Sequence, residues 1–274
     1  MRRIKKLAAA AAMLAAVSCG QNKTPKVLVL YYSQTSNTKT VAEEIANRIG
    51  ADIEEIVAVN PYDGDFQATI TRCLEERQNG TVTEIQPLKS DLSEYDIVFL
   101  GYPVWFGTYA PPVITLLSQV DLSGKRVVPF CTFGSGGLDS SVRDLRAAQP
   151  GAEVLDGYGV RAARMAAVPR EIDNFLKAEG FIEGTYVEPE PFPELHPVCE
   201  EEAAIFDAAV EGYAMLHAKA TNVASRITTD GTEYLFTAES LPREGDDRTP
   251  PPGEMKVYVL VEEGQAPVFT QVIR

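Results

Sequence analysis

The stretch KVLVLYYSQTSNT, residues 26–38, joins a run of apolar and aromatic residues directly to a run of hydroxyl and amide side chains. The apolar half, Lys26 to Tyr32, shows no alternation of polar and apolar positions. It therefore predicts a strand buried on both faces, as found in parallel sheets. Helical spacing of apolar residues follows from Thr38 to Ile49, and a second strand is predicted at Ile53–Val59. Together these segments predict a β-α-β unit with a right-handed crossover.

The same alternation of strands and helices continues along the chain beyond this unit. Three more strands are predicted, at Tyr95–Gly101, Lys125–Thr132 and Glu153–Val160. Four more helices are predicted, at Asp65–Gln78, Pro111–Val120, Ser140–Ala148 and Pro169–Ala178. Strands and helices that alternate in this way predict an α/β fold, with a five-stranded parallel sheet and helices on both of its faces, over residues 26–187.

The C-terminal part of the chain has a different pattern. Residues 188–197 hold four prolines in ten residues, which predicts a stiff, extended linker. Residues 198–274 then predict a small α+β module, one helix followed by antiparallel strands. The predicted helix is Glu200–Leu216, and the predicted strands are Val223–Thr229, Thr232–Ala238, Met255–Glu262 and Pro267–Ile273.

The N-terminus has the pattern of a targeting segment. Four basic residues precede an alanine-rich apolar run, Leu7–Val17, that is too short to span a bilayer. The following Ser18-Cys19 resembles a bacterial lipobox, which implies a signal peptide over residues 1–18, lipidation of Cys19 and a tether over residues 19–25. An ordinary signal peptide cut nearby is the alternative. We therefore expect an exported, membrane-anchored lipoprotein on the periplasmic face or the cell surface.

Charge and cysteine content exclude several classes of function. Removing residues 1–18, which carry four positive and no negative side chains, takes the formal charge from −14 to −18. Nucleic acids and anionic lipid surfaces both require a basic footprint, so neither is an expected partner. Cys73, Cys131 and Cys199 lack the spacing of a metal site or of a disulfide framework, although a single disulfide stays open. The sequence predicts no metal site and no catalytic residues.

Three distinctive loops follow the first, third and fourth predicted strands, whose carboxyl ends form the ligand-binding edge of such a sheet. The loop Ser33–Thr38 combines hydroxyl groups with the start of a helix, an arrangement that favours a phosphate. A plain Ser/Asn-rich turn is the alternative. The loop Gly101–Thr108 carries the only tryptophan, Trp105, which predicts stacking on a planar ring, unless the indole fills the core. In Thr132–Gly137, three glycines predict close approach of the backbone to a ligand, or simply a flexible connection.

Taken together, the segments VLVLYYSQTSNT, GYPVWFGTYAPP and TFGSGG resemble the flavodoxin family, and in particular its exported members. The resemblance covers residues 26 to about 183 and implies the strand order 2-1-3-4-5 and the cofactor FMN. It implies that the FMN phosphate is bound by Ser33, Thr35, Ser36, Asn37 and Thr38. It implies that the flavin ring is bordered by Pro103, Val104, Trp105, Phe106 and Gly107, and on its other side by Thr132, Phe133, Gly134, Ser135 and Gly137. Two departures are that Ser36 stands where flavodoxins often have glycine, and that the third loop lacks the usual tyrosine.

Three functions are compatible with this resemblance. The first is an electron-transfer flavodoxin that serves an unidentified redox partner protein or small-molecule acceptor. The second is an FMN-dependent NAD(P)H:quinone-type oxidoreductase. The third is an interaction protein that has lost flavin, which only the appended module suggests. That module faintly resembles the cystatin topology but lacks the inhibitory loop signature, so the resemblance implies no protease inhibition.

Overall fold

The computed structural model describes residues 24–63, 65–213, 216–242 and 254–274. The predicted signal peptide and the predicted lipidation site, Cys19, lie outside these residues. The described chain forms two compact units. The first unit holds the described residues up to Thr132, together with Leu138–Gly159 and Met165–Tyr186. The second unit holds Phe133–Gly137, Val160–Arg164 and the described residues from Val187 onward.

A parallel sheet forms the centre of the first unit. Its strands are β1 (Val27–Tyr31), β2 (Asp52–Glu55), β3 (Ile97–Trp105), β5 (Arg126–Phe133) and β6 (Glu153–Val154), in the order β2-β1-β3-β5-β6. Two further strands join at the side, β4 (Thr108–Tyr109) on β3 and β7 (Tyr158–Arg161) on β5. All four neighbouring pairs along the main path are parallel. The predicted five-stranded sheet with order 2-1-3-4-5 is therefore confirmed.

Each helix of this fold has one buried face. They are α1 (Asn37–Ile49), α2 (Phe66–Asn79), α3 (Pro111–Gln119), α4 (Leu138–Ala148) and α5 (Val168–Ala178). In α1, Val41 and Ile45 are fully buried, as the helical spacing predicted. Asp65 caps α2 because its side chain accepts a 2.8 Å hydrogen bond from the Ala68 N–H. Short 3-10 turns lie at Leu92–Glu94 and Ala162–Ala167.

Several strands differ from their predicted extents: β2 ends at Glu55 rather than Val59, and the strand predicted at Val223–Thr229 begins at Ala218. The third strand was expected to end at Gly101, but β3 continues to Trp105, because Pro103 still pairs with Thr132 of β5 and Trp105 pairs back onto Thr108. The strand expected over residues 153–160 is interrupted, and its halves are β6 and β7. The break holds Gly157, whose φ is +80° and where a Cβ would lie 2.3 Å from the Pro129 carbonyl oxygen.

The second unit contains an antiparallel sheet and one helix. The sheet has the order β12-β11-β10-β9-β8, with β8 at His196–Pro197, β9 at Ala218–Thr228, β10 at Gly231–Ser240, β11 at Glu254–Val261 and β12 at Val268–Ile273. The helix α6 (Glu200–Val210) buries Phe206 against Phe236 of β10. The predicted α+β module is therefore confirmed. Its helix is shorter than the expected Glu200–Leu216, since Gly212 follows with a left-handed φ of 74°.

The proline-rich segment 188–197 makes defined contacts inside the second unit. Arg226 donates a 3.1 Å hydrogen bond to the Glu190 carbonyl oxygen, and its guanidinium lies 4.2 Å from the centroid of the Phe192 ring. The Phe192 ring also meets Tyr258 edge to face. The segment predicted as a linker thus lies along residues of the C-terminal sheet.

The three described cysteines are free thiols. Cys73 and Cys131 are buried, whereas Cys199, at the start of α6, is exposed. Burial raises the pKa of the Cys131 thiol far above its ordinary value, so this side chain stays neutral. Within the described ranges, no group of His, Cys, Asp and Glu side chains is placed to hold a metal ion. No helix in the same ranges has the length and apolarity needed to cross a bilayer.

Candidate functional site

The loop between β1 and α1 positions hydroxyl side chains around a helix N-terminus. The Ser33 hydroxyl accepts a 3.2 Å hydrogen bond from the Lys39 N–H, and the Ser36 carbonyl accepts one of 2.9 Å from the Thr40 N–H. The helix has no side-chain cap from Ser36 and no acidic residue in its first turn. The positive end of the helix dipole is therefore not neutralised by these residues, which favours an anion at this position.

Ser36 itself has an unusual backbone conformation. Its φ is 66° and its ψ is −6°, in the left-handed region that glycine occupies most easily. A residue with a Cβ held there costs about 1 kcal/mol or more. Flavodoxins often have glycine at this position, and glycine would adopt this left-handed conformation without strain, whereas Ser36 does not.

Exposure separates the five residues predicted to hold phosphate. Thr35 and Ser36 are exposed, and Ser33 and Asn37 are partly exposed. Thr38 is only 1% exposed, and its Oγ1 lies 2.9 Å from the Thr132 Oγ1. The Thr38 hydroxyl therefore connects the first predicted loop to the end of β5 inside the fold.

The loop is also tied to the segment before α2, which the sequence analysis did not foresee. The Gln34 side-chain amide donates hydrogen bonds to the Tyr62 carbonyl oxygen, at 3.0 Å, and to the Thr69 hydroxyl, at 2.7 Å. These partners lie 28 and 35 residues away along the chain. No local pattern in the sequence signals such a contact.

The second predicted loop is a tight hairpin. Trp105 of β3 pairs with Thr108 of β4, and the two residues between them, Phe106 and Gly107, have φ values of 53° and 83°. Two successive positive φ values are the signature of a type I′ turn, which suits a two-residue hairpin connection. The hairpin is supported by Ser140, whose hydroxyl donates to the Gly107 carbonyl oxygen. Phe106, at the tip, is 50% exposed.

Trp105 stands beside two buried tyrosines. Its ring meets Tyr62 edge to face at a centroid separation of 5.1 Å, and Tyr32 at 6.0 Å. The indole is only partly buried, and the predicted border residues Pro103 and Val104 share this intermediate exposure. Aromatic neighbours at these angles fix the plane of the indole while leaving part of its surface accessible.

A polar network lies behind Trp105. The Tyr62 hydroxyl donates a 2.5 Å hydrogen bond to Glu76 and lies 2.7 Å from the Thr83 hydroxyl. Arg72 donates to the other Glu76 oxygen at 2.8 Å and places its guanidinium 3.8 Å from the centroid of the Tyr62 ring. Burial, and then the hydrogen bond to Glu76, raise the pKa of Tyr62 well above its ordinary value.

The third predicted loop is divided between the units. Thr132 belongs to the first unit, whereas Phe133–Gly137 belong to the second. In the second unit the Val272 N–H donates a 2.6 Å hydrogen bond to the Ser135 carbonyl oxygen. A Cβ on Gly136 would lie 2.4 Å from the Val272 carbonyl oxygen, so β12 itself requires glycine there. The roles of Phe133, Gly134, Ser135 and Gly137 toward a ligand stay predictions.

Arg161 is a further residue of the second unit that the sequence analysis missed. The side chain is 8% exposed and donates 2.8 Å hydrogen bonds to the carbonyl oxygens of Gly134 and Phe269. Its guanidinium also lies 3.3 Å from the centroid of the Phe269 ring. The bonding to Gly134 and Phe269 thus links the segment Phe133–Gly137 to β12 within the second unit.

A comparison with protein families adds an independent observation. A family model described as Flavodoxin matches residues 26–173, just over half of the chain. The chain belongs to the flavodoxin family. The match begins one residue before β1 and contains both the Ser33–Thr38 loop and the hairpin at Trp105. The second unit of this flavodoxin lies largely outside the matched residues.

Solved structures similar to this flavodoxin include flavoproteins from Bacteroides and Lactobacillus species. A candidate flavoprotein from Bacteroides eggerthii is 27% identical, with 57% of this chain and 99% of that chain covered and a TM-score of 0.50. One from Bacteroides uniformis is also 27% identical, with 55% and 99% covered and a TM-score of 0.48. A flavoprotein from Lactobacillus acidophilus, in complex with FMN, is 30% identical, with 54% and 98% covered and a TM-score of 0.45.

Proposed function

We propose that this flavodoxin binds FMN and transfers electrons with it. The observation that carries the proposal is the start of α1, where exposed or partly exposed hydroxyls surround a helix N-terminus that has no acidic residue in its first turn. A dianionic phosphate fits such a donor set, because hydrogen bonds and the helix dipole act on it together. Family membership supports the choice of FMN over other phosphate-bearing ligands.

The hairpin at Trp105 suits the flavin ring. The indole keeps exposed surface while Tyr32 and Tyr62 hold its plane, so it is available for stacking. FMN, when bound, supplies the one-electron and two-electron chemistry, and the protein tunes it. The acidic chain, with a formal charge of −14, adds a negative field that opposes further negative charge on a bound flavin. We therefore expect a low reduction potential.

We also propose that the protein is exported and held to the membrane by lipid on Cys19. The support is the N-terminal sequence, with its basic start, its short apolar run and a cysteine that follows small residues. Replacing Cys19 with alanine should release the protein from membranes or block its maturation. Wild-type protein found entirely in the soluble cytoplasmic fraction would contradict the proposal.

Purified protein tests the central claim. FMN should co-purify or bind in titration, and riboflavin, which lacks the phosphate, should bind much more weakly. Equal affinity for FMN and riboflavin would contradict the assignment of the phosphate to the Ser33–Thr38 loop. If neither flavin binds, the protein is better explained as an interaction protein that has lost flavin.

The same preparation separates a carrier from an enzyme. An electron carrier should accept and release electrons with a redox partner but should oxidise NADH or NADPH slowly, with or without an added quinone. Rapid, quinone-dependent oxidation of either nucleotide would favour the oxidoreductase alternative instead. The physiological partner, whether a redox protein or a small-molecule acceptor, is then the next question.

A further inference from the structure

A cavity of about 350 Å³ opens in the first unit on the side of the Trp105 hairpin that faces α2 and α3. Its walls come from the end of α2, the segment Thr81–Thr83, the hairpin at Trp105 and Phe106, and the first turns of α3. None of the residues Ser33–Thr38 lines it. The cavity is therefore separate from the proposed phosphate position, although Trp105, which is proposed to stack on the flavin ring, also lines the cavity.

The walls of the cavity are largely apolar, and several of their apolar side chains are exposed to solvent. Val82 is 65% exposed, Phe106 50% and Ile114 49%, and all three line the cavity. Apolar side chains that gather around a concave site, rather than scatter over a surface, are typical of a ligand site. The volume lies near the lower end of the range of about 300–1,000 Å³ for small-molecule pockets, so the occupant is compact.

The two charged residues that line the cavity, Glu76 and Arg77, differ in whether they form an ion pair. Glu76 is held by Arg72 at 2.8 Å and by the hydroxyls of Tyr62 and Thr83, so its charge is compensated inside the fold. Burial raises the pKa of Cys73, so that thiol contributes no charge at neutral pH. Arg77 is exposed, lies 5.5 Å from the centroid of the Phe106 ring and has no ion-pair partner among the residues that the structure describes.

We propose that this cavity binds a compact aromatic carboxylate. The aromatic ring would be buried among Trp105, Phe106 and Ile114, since aromatic rings pair favourably with each other and with aliphatic walls. The carboxylate would bind the Arg77 guanidinium, whose planar donors match two carboxylate oxygens. Binding at this cavity does not require FMN, because protein residues alone form its walls.

The probe is 2-naphthoate, and binding is measured by equilibrium dialysis with flavin-free protein and again with FMN-loaded protein. Arg77→Gln should weaken binding about fivefold, as for loss of one exposed ion pair, and Arg77→Lys, which keeps the charge but not the two parallel donors, should fall between Arg77→Gln and the wild type. Ile114→Glu places a negative charge in the wall and should weaken binding by about tenfold or more. Leu74→Glu is the matched control, because Leu74 is 44% exposed on α2 but does not line the cavity.

The outcomes separate this proposal from the proposed function. Binding of 2-naphthoate to both forms of the protein, lost in Ile114→Glu and kept in Leu74→Glu, supports the cavity assignment whether or not FMN binds. Competition between 2-naphthoate and FMN would mean that the cavity is the place of the flavin ring itself, which overturns the proposal. Absence of binding to the wild-type protein, or equal binding to Arg77→Gln and the wild type, also overturns it.

Discussion

The hydroxyl oxygens of Thr38 and Thr132 lie 2.9 Å apart, and this hydrogen bond joins the first turn of α1 to the end of β5. Thr38 is 1% exposed and Thr132 5%, so each hydroxyl depends on the other for a partner among the residues that the structure describes. Both threonines were predicted to bind FMN. In the structure their side chains also connect the first and third predicted loops below the surface.

The Thr38–Thr132 pair should show energetic coupling. Thr38→Val or Thr132→Val alone leaves one buried hydroxyl without its partner, which should lower the free energy of unfolding by about 1–3 kcal/mol. The double variant removes both hydroxyls and should cost clearly less than the sum of the single changes. Urea denaturation of the four proteins measures the coupling. Additive losses would show that the hydroxyls do not interact.

The exposed hydroxyl of Thr35 should act on the ligand rather than on stability. A hydrogen bond to a charged group contributes about 1.5–3 kcal/mol, so Thr35→Ala should weaken FMN binding roughly tenfold to 150-fold. Its effect on riboflavin binding and on urea denaturation should be small. We expect Thr38→Val to lower both affinity and stability, which separates the two threonines. A Thr35→Ala protein with unchanged FMN affinity would place the phosphate elsewhere.

Trp105 should report directly on the flavin. It is the only tryptophan, so FMN stacked on it should quench the indole emission of the whole protein. Trp105→Ala should weaken FMN binding by about 1–3 kcal/mol, with Trp105→Phe in between. Trp105→Ala should also raise the potential of the final reduction step, because an apolar shield that disfavours the reduced anion is lost. Emission that does not respond to FMN would show that the ring binds away from the indole.

The buried tyrosines should make the first unit sensitive to alkaline pH. Burial, followed by the charges of Glu55 and Glu43, raises the pKa of Tyr31 to about 12 from its ordinary value of 10.0. The unfolded chain therefore loses this proton first, so the stabilisation is complete below pH 10 and is lost as the pH rises toward 12. Tyr32, Tyr62 and Tyr102 are shifted in the same direction.

Urea denaturation between pH 9 and about pH 11.5 measures this effect, and ultraviolet absorbance of phenolate follows the titration itself. The free energy of unfolding should fall with rising pH, and the fall should be less steep in Tyr31→Phe. Tyr186→Phe is the control, since Tyr186 is 38% exposed in the same unit. Phenolate absorbance that rises fully around pH 10 would contradict the shifted values.

The sequence predicted the parts of the fold that local pattern determines. The unbroken apolar run of β1 and the helical spacing of α1 were confirmed, whereas the strand order, also confirmed, was implied by the flavodoxin resemblance rather than by local pattern. The extension of β3 to Trp105 was missed because Gly101 and Pro103 indicated the start of a loop, whereas the later residues are held in the strand by pairing with β5 and β4. The early end of α6 was missed because the apolar spacing in the sequence continues after Val210, whereas the backbone leaves helical geometry at that point.

The site was predictable to the level of loops but not of contacts. The loops Ser33–Thr38 and Gly101–Thr108 stand out because hydroxyls and a lone tryptophan are rare signals at strand ends. The bond from Gln34 to Thr69, the network around Glu76 and the stacking of Arg161 on Phe269 join residues that are distant in the chain. Such contacts depend on the folded geometry, so a single sequence carries no local sign of them.

The contrast between one accessible thiol and two buried ones makes selective labelling possible. Of the three described cysteines only Cys199 is exposed, and it belongs to the second unit, while Trp105 belongs to the first. In a chain that begins after Cys19, a thiol-reactive dye that absorbs indole emission should therefore attach at Cys199 alone. Energy transfer from Trp105 to that dye would then follow the distance between the two units in solution, with no engineered residue needed in either.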